Sequence, residues 1–313
     1  MMHWTPIPYE GCSAWQGETN SLRIILIPSL GSKIISFVDK RTSKEWLWRS
    51  GKPLGSPGYG AAYADGDGSG WDEMFPSVNE CRYPHSPWSD RNVPDHGEVW
   101  SLPWSDQLNG SCLTCSVEGV RFPYSLTKTC SFPDDRTFRM DYTVTNRSEF
   151  AFSCLWAAHP LLRVTDGMIL ELGGNPHPRE IVISYSHAER LGSFGNKVSW
   201  PVVTTAQDRI NLAVYDASGA VFAEKYYFSP PIRTSEASLF DPFTGERFTL
   251  RYDAAKTPYL AVWSNGRGFG GHRHLAIEPA SGMLDDVNYA AGSNQTAIVP
   301  PYGQISWHLE ASV

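Results

Sequence analysis

The sequence predicts an all-β protein built of packed antiparallel sheets, and three observations carry that reading. Composition is the first: 12 Trp, 14 Tyr and 14 Phe stand among 27 Gly and 23 Pro in 313 residues, the balance expected of short strands joined by many turns. The second is period-two alternation, clearest over residues 137–145, where Phe138, Met140, Tyr142 and Val144 share one face. The third is that no apolar pattern of period 3.6 runs beyond two turns. Without crossover helices a parallel sheet is excluded, and antiparallel sheets packed on one another remain.

Taken in order, residues 21–27 and 33–38 flank Pro28 and Gly31 and read as a hairpin. Residues 51–70 are rich in Gly, Ser and Pro and lead straight into Trp71-Asp-Glu-Met-Phe-Pro76, so they read as a long functional loop over a pocket and not as a linker. Asp65-Gly-Asp-Gly68 hints at calcium but lacks the regular ligand spacing and terminal Glu of an EF-hand. Cys112 and Cys115 have a Cys-x-x-Cys spacing within an alternating run, where their sulfurs face opposite sides of a sheet. Further strands are expected over 150–158, 211–215, 221–228, 247–252, 259–263, 274–277 and 305–309. No repeat, low-complexity tract or linker divides the chain. Sandwiches often exceed 200 residues as one unit, so residues 1–313 are read as a single domain.

Charge and targeting narrow the function. With 26 Lys and Arg against 33 Asp and Glu the net charge is −7, which argues against nucleic acid. The first residues have no basic and apolar regions of a signal peptide, and no stretch approaches 18 apolar residues, so no membrane partner is expected. Six cysteines are too few for a disulfide scaffold at this length and read as reduced thiols of a cytoplasmic protein. A monomer or homodimer acting on a small molecule fits these observations.

Three strings place an ionisable group in an apolar or tightly turned context. In Pro94-Asp-His-Gly-Glu-Val-Trp100, His96 lies between carboxylates and precedes Gly97, which allows close backbone approach. In Trp156-Ala-Ala-His-Pro-Leu-Leu162, His159 ends an apolar strand and Pro160 removes the next ladder donor. In Leu275-Ala-Ile-Glu-Pro-Ala280, Glu278 follows an apolar run and again precedes Pro. Singly, each has an ordinary reading as a hydrogen-bonded histidine or a strand-end carboxylate. Together, in this order over about 180 residues and with the closing run Val299-Pro-Pro-Tyr-Gly-Gln-Ile-Ser-Trp-His308, they resemble the aldose 1-epimerase (galactose mutarotase-like) superfamily.

That resemblance covers nearly the whole chain and implies a large twisted antiparallel β-sandwich with an open cleft across one sheet. It implies an isomerase that interconverts the α and β anomers of a monosaccharide. Glu278 would take the proton from the C1 hydroxyl, His159 would protonate the ring oxygen, and His96 would assist there. Opening and reclosing a pyranose needs one proton removed and one delivered, so no cofactor and no metal is expected. Activity should then fall at low pH as Glu278 protonates and at high pH as His159 loses its proton.

Simple galactose mutarotases carry an arginine-containing segment before the first histidine. Here residues 70–76 stand in that place, with Arg82 farther on. Asp72 and Glu73 are therefore expected to accept sugar hydroxyls, with Arg82, Lys225 and Trp263 as further substrate-binding candidates and Trp71 as another stacking platform. An unphosphorylated sugar suits the acidic segment, while Arg82 and Arg91 keep a hexose-phosphate mutarotase as the alternative. Three other readings are open. His272 and His274 with His96 and Glu98 could hold a metal in a cupin-like site. The fold could bind or sense sugar without chemistry. A polysaccharide lyase is the third, although such enzymes usually add helical domains.

Overall fold

The computed structural model describes residues 3–174, 179–205, 208–229 and 235–313. Among these, twelve strands form one antiparallel sheet and eight form a second. Six strands at the middle of the larger sheet matter here: β1 (Lys33–Asp39), β2 (Trp71–Met74), β3 (Ala157–Leu162), β4 (Phe222–Ser229), β5 (Tyr259–Gly266) and β6 (Arg273–Ala280). Their spatial order is β1-β2-β3-β6-β5-β4. Leu22–Ile27 extends this sheet beyond β1, completing the expected hairpin, and Arg179–Ser186 extends it beyond β4. The smaller sheet includes Thr137–Asn146, Glu246–Tyr252 and Gln304–Ser312.

Period-two alternation sorts the side chains of the larger sheet. One face, carrying Phe37, Leu260, Val262, Leu275 and Ile277, is buried in the core. Phe37 meets Phe138 and Phe248 of the smaller sheet at ring centroid distances of 6.3 and 5.2 Å, which fixes the two sheets face to face. Trp156, Tyr142 and Trp307 pack likewise between the layers. The opposite face of the larger sheet carries the ionisable groups. Among the described residues no helix is long and apolar enough to cross a membrane.

Three strand expectations change. Residues 150–158 split into Phe152–Cys154, which pairs with Ala297–Val299, and the start of β3. His159 and Glu278 therefore lie inside β3 and β6, not at strand ends. Residues 211–215 mostly turn: the Asn211 side chain accepts the Ala213 N–H at 3.1 Å, a local bond that bends the chain out of a ladder.

Candidate active site

Strand register assembles the floor of a cleft. Asp72 on β2 pairs with His159 on β3, and Glu278 on β6 pairs with Ala261 on β5, which in turn pairs with Tyr227 on β4. Between β3 and β6, Ala157 faces Ala280 and Leu161 faces Ala276, so counting inward puts His159 opposite Glu278. Five side chains thus form one row on the outer face, across five neighbouring strands. Pro160 and Pro279 flank it and have no N–H for the ladder, and β3–β6 pairing lapses between Ala157 and Leu161.

His159 Nε2 lies 3.9 Å from Glu278 Oε1, too far for a direct hydrogen bond. Oε1 has no hydrogen-bond partner. Lys225 Nζ sits 2.7 Å from Oε2 and 2.9 Å from Asp285 Oδ1. Asp285 also accepts from Tyr227 Oη at 2.7 Å and from Ser184 Oγ. Burial raises the Glu278 carboxyl, Lys225 offsets part of that and Asp285 adds to it, leaving Glu278 at about 7. Burial, followed by the charges of His96 and Lys225, holds His159 well below its ordinary value. This departs from the sequence expectation that Glu278 protonates at low pH and His159 loses its proton at high pH: with burial and cationic neighbours, the imidazole is neutral while Glu278 titrates.

Tyr63, from the long loop, covers the other side of His159. Its hydroxyl donates to Asp72 Oδ2 at 2.8 Å, and its oxygen lies 3.4 Å from His159 Nδ1. Its ring stacks on His96 at 4.1 Å. His96 Nδ1 is 2.7 Å from Asp95 Oδ1. Burial would raise the Asp95 carboxyl, but the hydrogen bond and charge of His96 outweigh it and hold it below its ordinary value. His96 adopts a left-handed φ of 60° and Gly97 follows at 76°. A Cβ on Gly97 would penetrate the Phe75 carbonyl group. Gly97→Ala is accordingly expected to destabilise the fold by more than about 1 kcal/mol, read from the urea midpoint, and to displace His96.

The cleft above this floor has a volume of about 550 Å³. The long loop lines it through Lys52, Tyr63, Asp67 and Gly68; the sheet contributes His159, Leu161, Lys225 and Trp263; His272 and His274 close in from the β5–β6 hairpin side. Lys225 and Trp263 thus occupy the cleft, as the sequence suggested. Glu278 lies beneath it with no exposed surface.

Other candidates lie elsewhere. Asp72 is fully buried under Tyr63, close to Lys33 at 3.4 Å, with its carboxyl raised to about 6 by burial. Glu73 points to the opposite face, because adjacent strand residues cannot share one. There it accepts from Tyr142 Oη at 2.8 Å, Trp156 Nε1 at 3.0 Å and Lys128 Nζ at 3.1 Å. It is a core residue and not a hydroxyl acceptor. Arg82 is exposed on the short strand Cys81–Arg82 and reaches only the Asp90 carbonyl, at 3.5 Å, outside the cleft lining. Arg91 donates to the Arg121 carbonyl. Trp71 is wholly within the core and offers no stacking face. Asp67 of the Asp-Gly-Asp-Gly string pairs with Lys33 at 2.8 Å.

The cupin-like grouping does not form. Glu98 turns away from His96 to accept from Tyr59 Oη at 2.6 Å and Tyr124 Oη at 2.9 Å, while His274 Nε2 accepts from Trp263 Nε1 at 2.9 Å. Among the described residues no three or more His, Cys, Asp or Glu side chains gather as metal ligands.

Sequence reasoning missed Asp285, Tyr63 and Lys33. Asp285 sits seven residues beyond Glu278, directly before Asp286, which caps the helix Val287–Gly292. Only its left-handed φ of 65° and long-range partners mark Asp285 out.

No family model and no curated protein matches the chain. Solved structures do share its fold. A galactose mutarotase-like protein from Lactobacillus casei is 16% identical, with a TM-score of 0.70 over 96% of this chain and 99% of that one. A galactose mutarotase-like protein from Clostridium acetobutylicum is 11% identical, with a TM-score of 0.69 over 99% of this chain and 98% of that one. An aldose epimerase homologue from C. elegans is 10% identical, with a TM-score of 0.61 over 100% and 98%. The chain has the galactose mutarotase-like β-sandwich fold.

Proposed function

We propose that this sandwich is an aldose 1-epimerase, a single catalytic domain that interconverts sugar anomers through the opposed pair Glu278 and His159. The observation that carries the reading is the 3.9 Å gap between Glu278 Oε1 and His159 Nε2, with Oε1 unpartnered. The C1 hydroxyl and the ring oxygen share one carbon and suit such a gap, each meeting one of the two groups. His159 and Lys225 both line the cleft, with Glu278 beneath them: its Oε1 faces His159 and its Oε2 faces Lys225.

Mutarotation requires the pair to hold one proton. The proton rests mainly on Glu278, and reaction proceeds from the minor tautomer with Glu278 ionised and His159 protonated: Glu278 takes the C1 hydroxyl proton as His159 gives its own to the ring oxygen, and the C1–O5 bond breaks. The open aldehyde turns about C1–C2. Glu278, now protonated, and neutral His159 then reverse both transfers on the other carbonyl face. Lys225 offsets the charge of Glu278, and Tyr63 and Asp95 orient the histidines.

The sign of the pH dependence follows from the directions above. The upper titration of the pair belongs to Glu278 at about 7, and the lower one lies well below 6.5. The pair holds one proton between these limits, so kcat/KM for anomer exchange is expected to be flat on the acid side of 7 and to fall about tenfold per pH unit above it. This reverses the limbs expected from sequence. Two-dimensional exchange NMR across pH 5–9, on the order of the span set by the pair, tests it; a rate that climbs through pH 7 defeats the one-proton pair.

A second reading, sugar binding without chemistry, draws on the complete burial of Glu278 under Lys225. Calorimetric binding with no catalysed exchange for any aldose would select it. The hexose-phosphate alternative loses support from the arginines, since neither Arg82 nor Arg91 lines the cleft.

A further inference from the structure

The cleft runs along the strands and is closed at one end. Past Glu278 the next outward row, Ala280 with Ala157 and Met74, is fully buried. There the backbone N–H groups of Val78 and Asn79 both donate to the Asp285 carbonyl, at 2.9 and 2.8 Å, and pin a segment across that end. In the other direction, successive outward residues of β6 are Ala276, small and wholly buried in the floor, and His274, which lines the cleft, followed by the hairpin residues Phe269 and His272. Four residues of strand from Glu278 to His274 span roughly 14 Å. A pyranose made of roughly 1.5 Å bonds spans about 6 Å from its C1 oxygen to its C4 oxygen. One ring anchored at Glu278 therefore leaves more than half of the cleft empty.

Trp263 pairs with Ala276 in register, but its indole leans outward to His274 and forms an aromatic platform reaching into that remaining half. Trp263 contacts Tyr185 and Phe269, each at a ring centroid distance of 5.9 Å. Tyr185 is 44% and Phe269 47% exposed, unusual for large apolar rings beside a polar floor. The platform is fixed in place. The Trp263 Nε1–H donates to His274, and the Asn265 side chain holds the Phe269 backbone at both its N–H and its carbonyl, at 3.1 and 2.9 Å. Rings so held lose little freedom when a ligand stacks on them. Pyranoses present apolar C–H faces that suit aromatic faces, and aromatic rings with a few placed polar groups are the usual make-up of a small-molecule site.

We propose that the cleft takes the reducing end of an oligosaccharide linked through O4. The terminal ring lies over Ala276 with its C1 at the Glu278–His159 pair, and the second ring rests on Trp263 and Phe269 towards the open end. This rests on the anomer-exchange reading for the placement of C1. O4 lies across the ring from C1, so the chain continues along β6 towards His274 and His272.

The test uses the full chain with glucose, galactose, maltose, cellobiose, lactose and glucose 6-phosphate, following anomer exchange by NMR and binding by calorimetry. At least one disaccharide is expected to exceed its monosaccharide in kcat/KM by about tenfold, equivalent to about 1.4 kcal/mol. Phe269→Ala, an exposed change at a hairpin, should cut that disaccharide-to-monosaccharide ratio back towards one. Equal values for disaccharides and monosaccharides, or a higher value for glucose 6-phosphate than for any disaccharide, overturn the extended site and leave anomer exchange standing. No exchange with any sugar, together with tighter disaccharide binding that Phe269→Ala weakens, overturns the isomerase reading and leaves the extended site. Neither binding nor exchange overturns both.

Discussion

In the Glu278→Gln variant, catalysed anomer exchange is expected to slow by at least about a hundredfold while sugar affinity changes far less. Glutamine keeps the shape of the side chain but cannot pass a proton back and forth. Affinity should persist because the glutamine can still hydrogen-bond the C1 hydroxyl and the other polar groups lining the cleft are unchanged. The fold should survive as well, since Lys225 retains Asp285 at 2.9 Å as its counter-ion. His159→Asn should behave alike. The double variant should be little worse than either single one, because the two groups act as a unit. Exchange NMR gives the rate and calorimetry the affinity. Near wild-type exchange by Glu278→Gln would remove the acid–base pair from the mechanism.

The largest expected stability effect belongs to Glu73. It shares the interior between the sheets with Lys128, and both side chains are wholly inaccessible. Glu73→Ala strands the ammonium of Lys128, which keeps the Ser32 carbonyl at 2.6 Å and the Trp104 ring at 5.7 Å but loses its carboxylate, and takes the acceptor from Tyr142 and Trp156. Breaking a buried pair from one side costs about 3–5 kcal/mol. Urea unfolding should show a loss of that size, and the double change Glu73→Leu with Lys128→Met should be milder than either single one. The exchange rate per folded molecule should stay near wild type, because Glu73 faces away from the cleft. A loss under about 1 kcal/mol would mean that the pair does not carry this share of stability.

Glu73 also shows what the sequence could and could not tell. The fold class was legible because alternation and turn residues are local signals, repeated strand after strand. His96, His159 and Glu278 were legible because each stands out from its neighbours, and register brings the last two face to face. Pairing Asp72 with Glu73 as joint acceptors was avoidable: if residues 71–74 are a strand, consecutive side chains take opposite faces. Arg82 attracted attention only by its charge, and its two-residue strand carries it to the surface. Tyr63 and Asp285 were beyond reach, since their positions depend on loop paths and on partners about 100 residues away. The protonation order of the site was equally hidden. It depends on how completely Glu278 and His159 are buried and on which cations face them, quantities that exist only after packing.

The lapse in the ladder between β3 and β6 has a mechanical side. With Pro160 facing Ile277 and Pro279 facing Ala158, a proline on either strand, the sheet has a seam under the cleft that backbone rungs do not bridge. In the proposed binding mode, a sugar touching both His159 and Glu278 would bridge the two strands from the cleft side, through their side chains. Occupancy and sheet cohesion would then be linked, the folded sheet gaining stability against unfolding with the logarithm of ligand concentration over its dissociation constant.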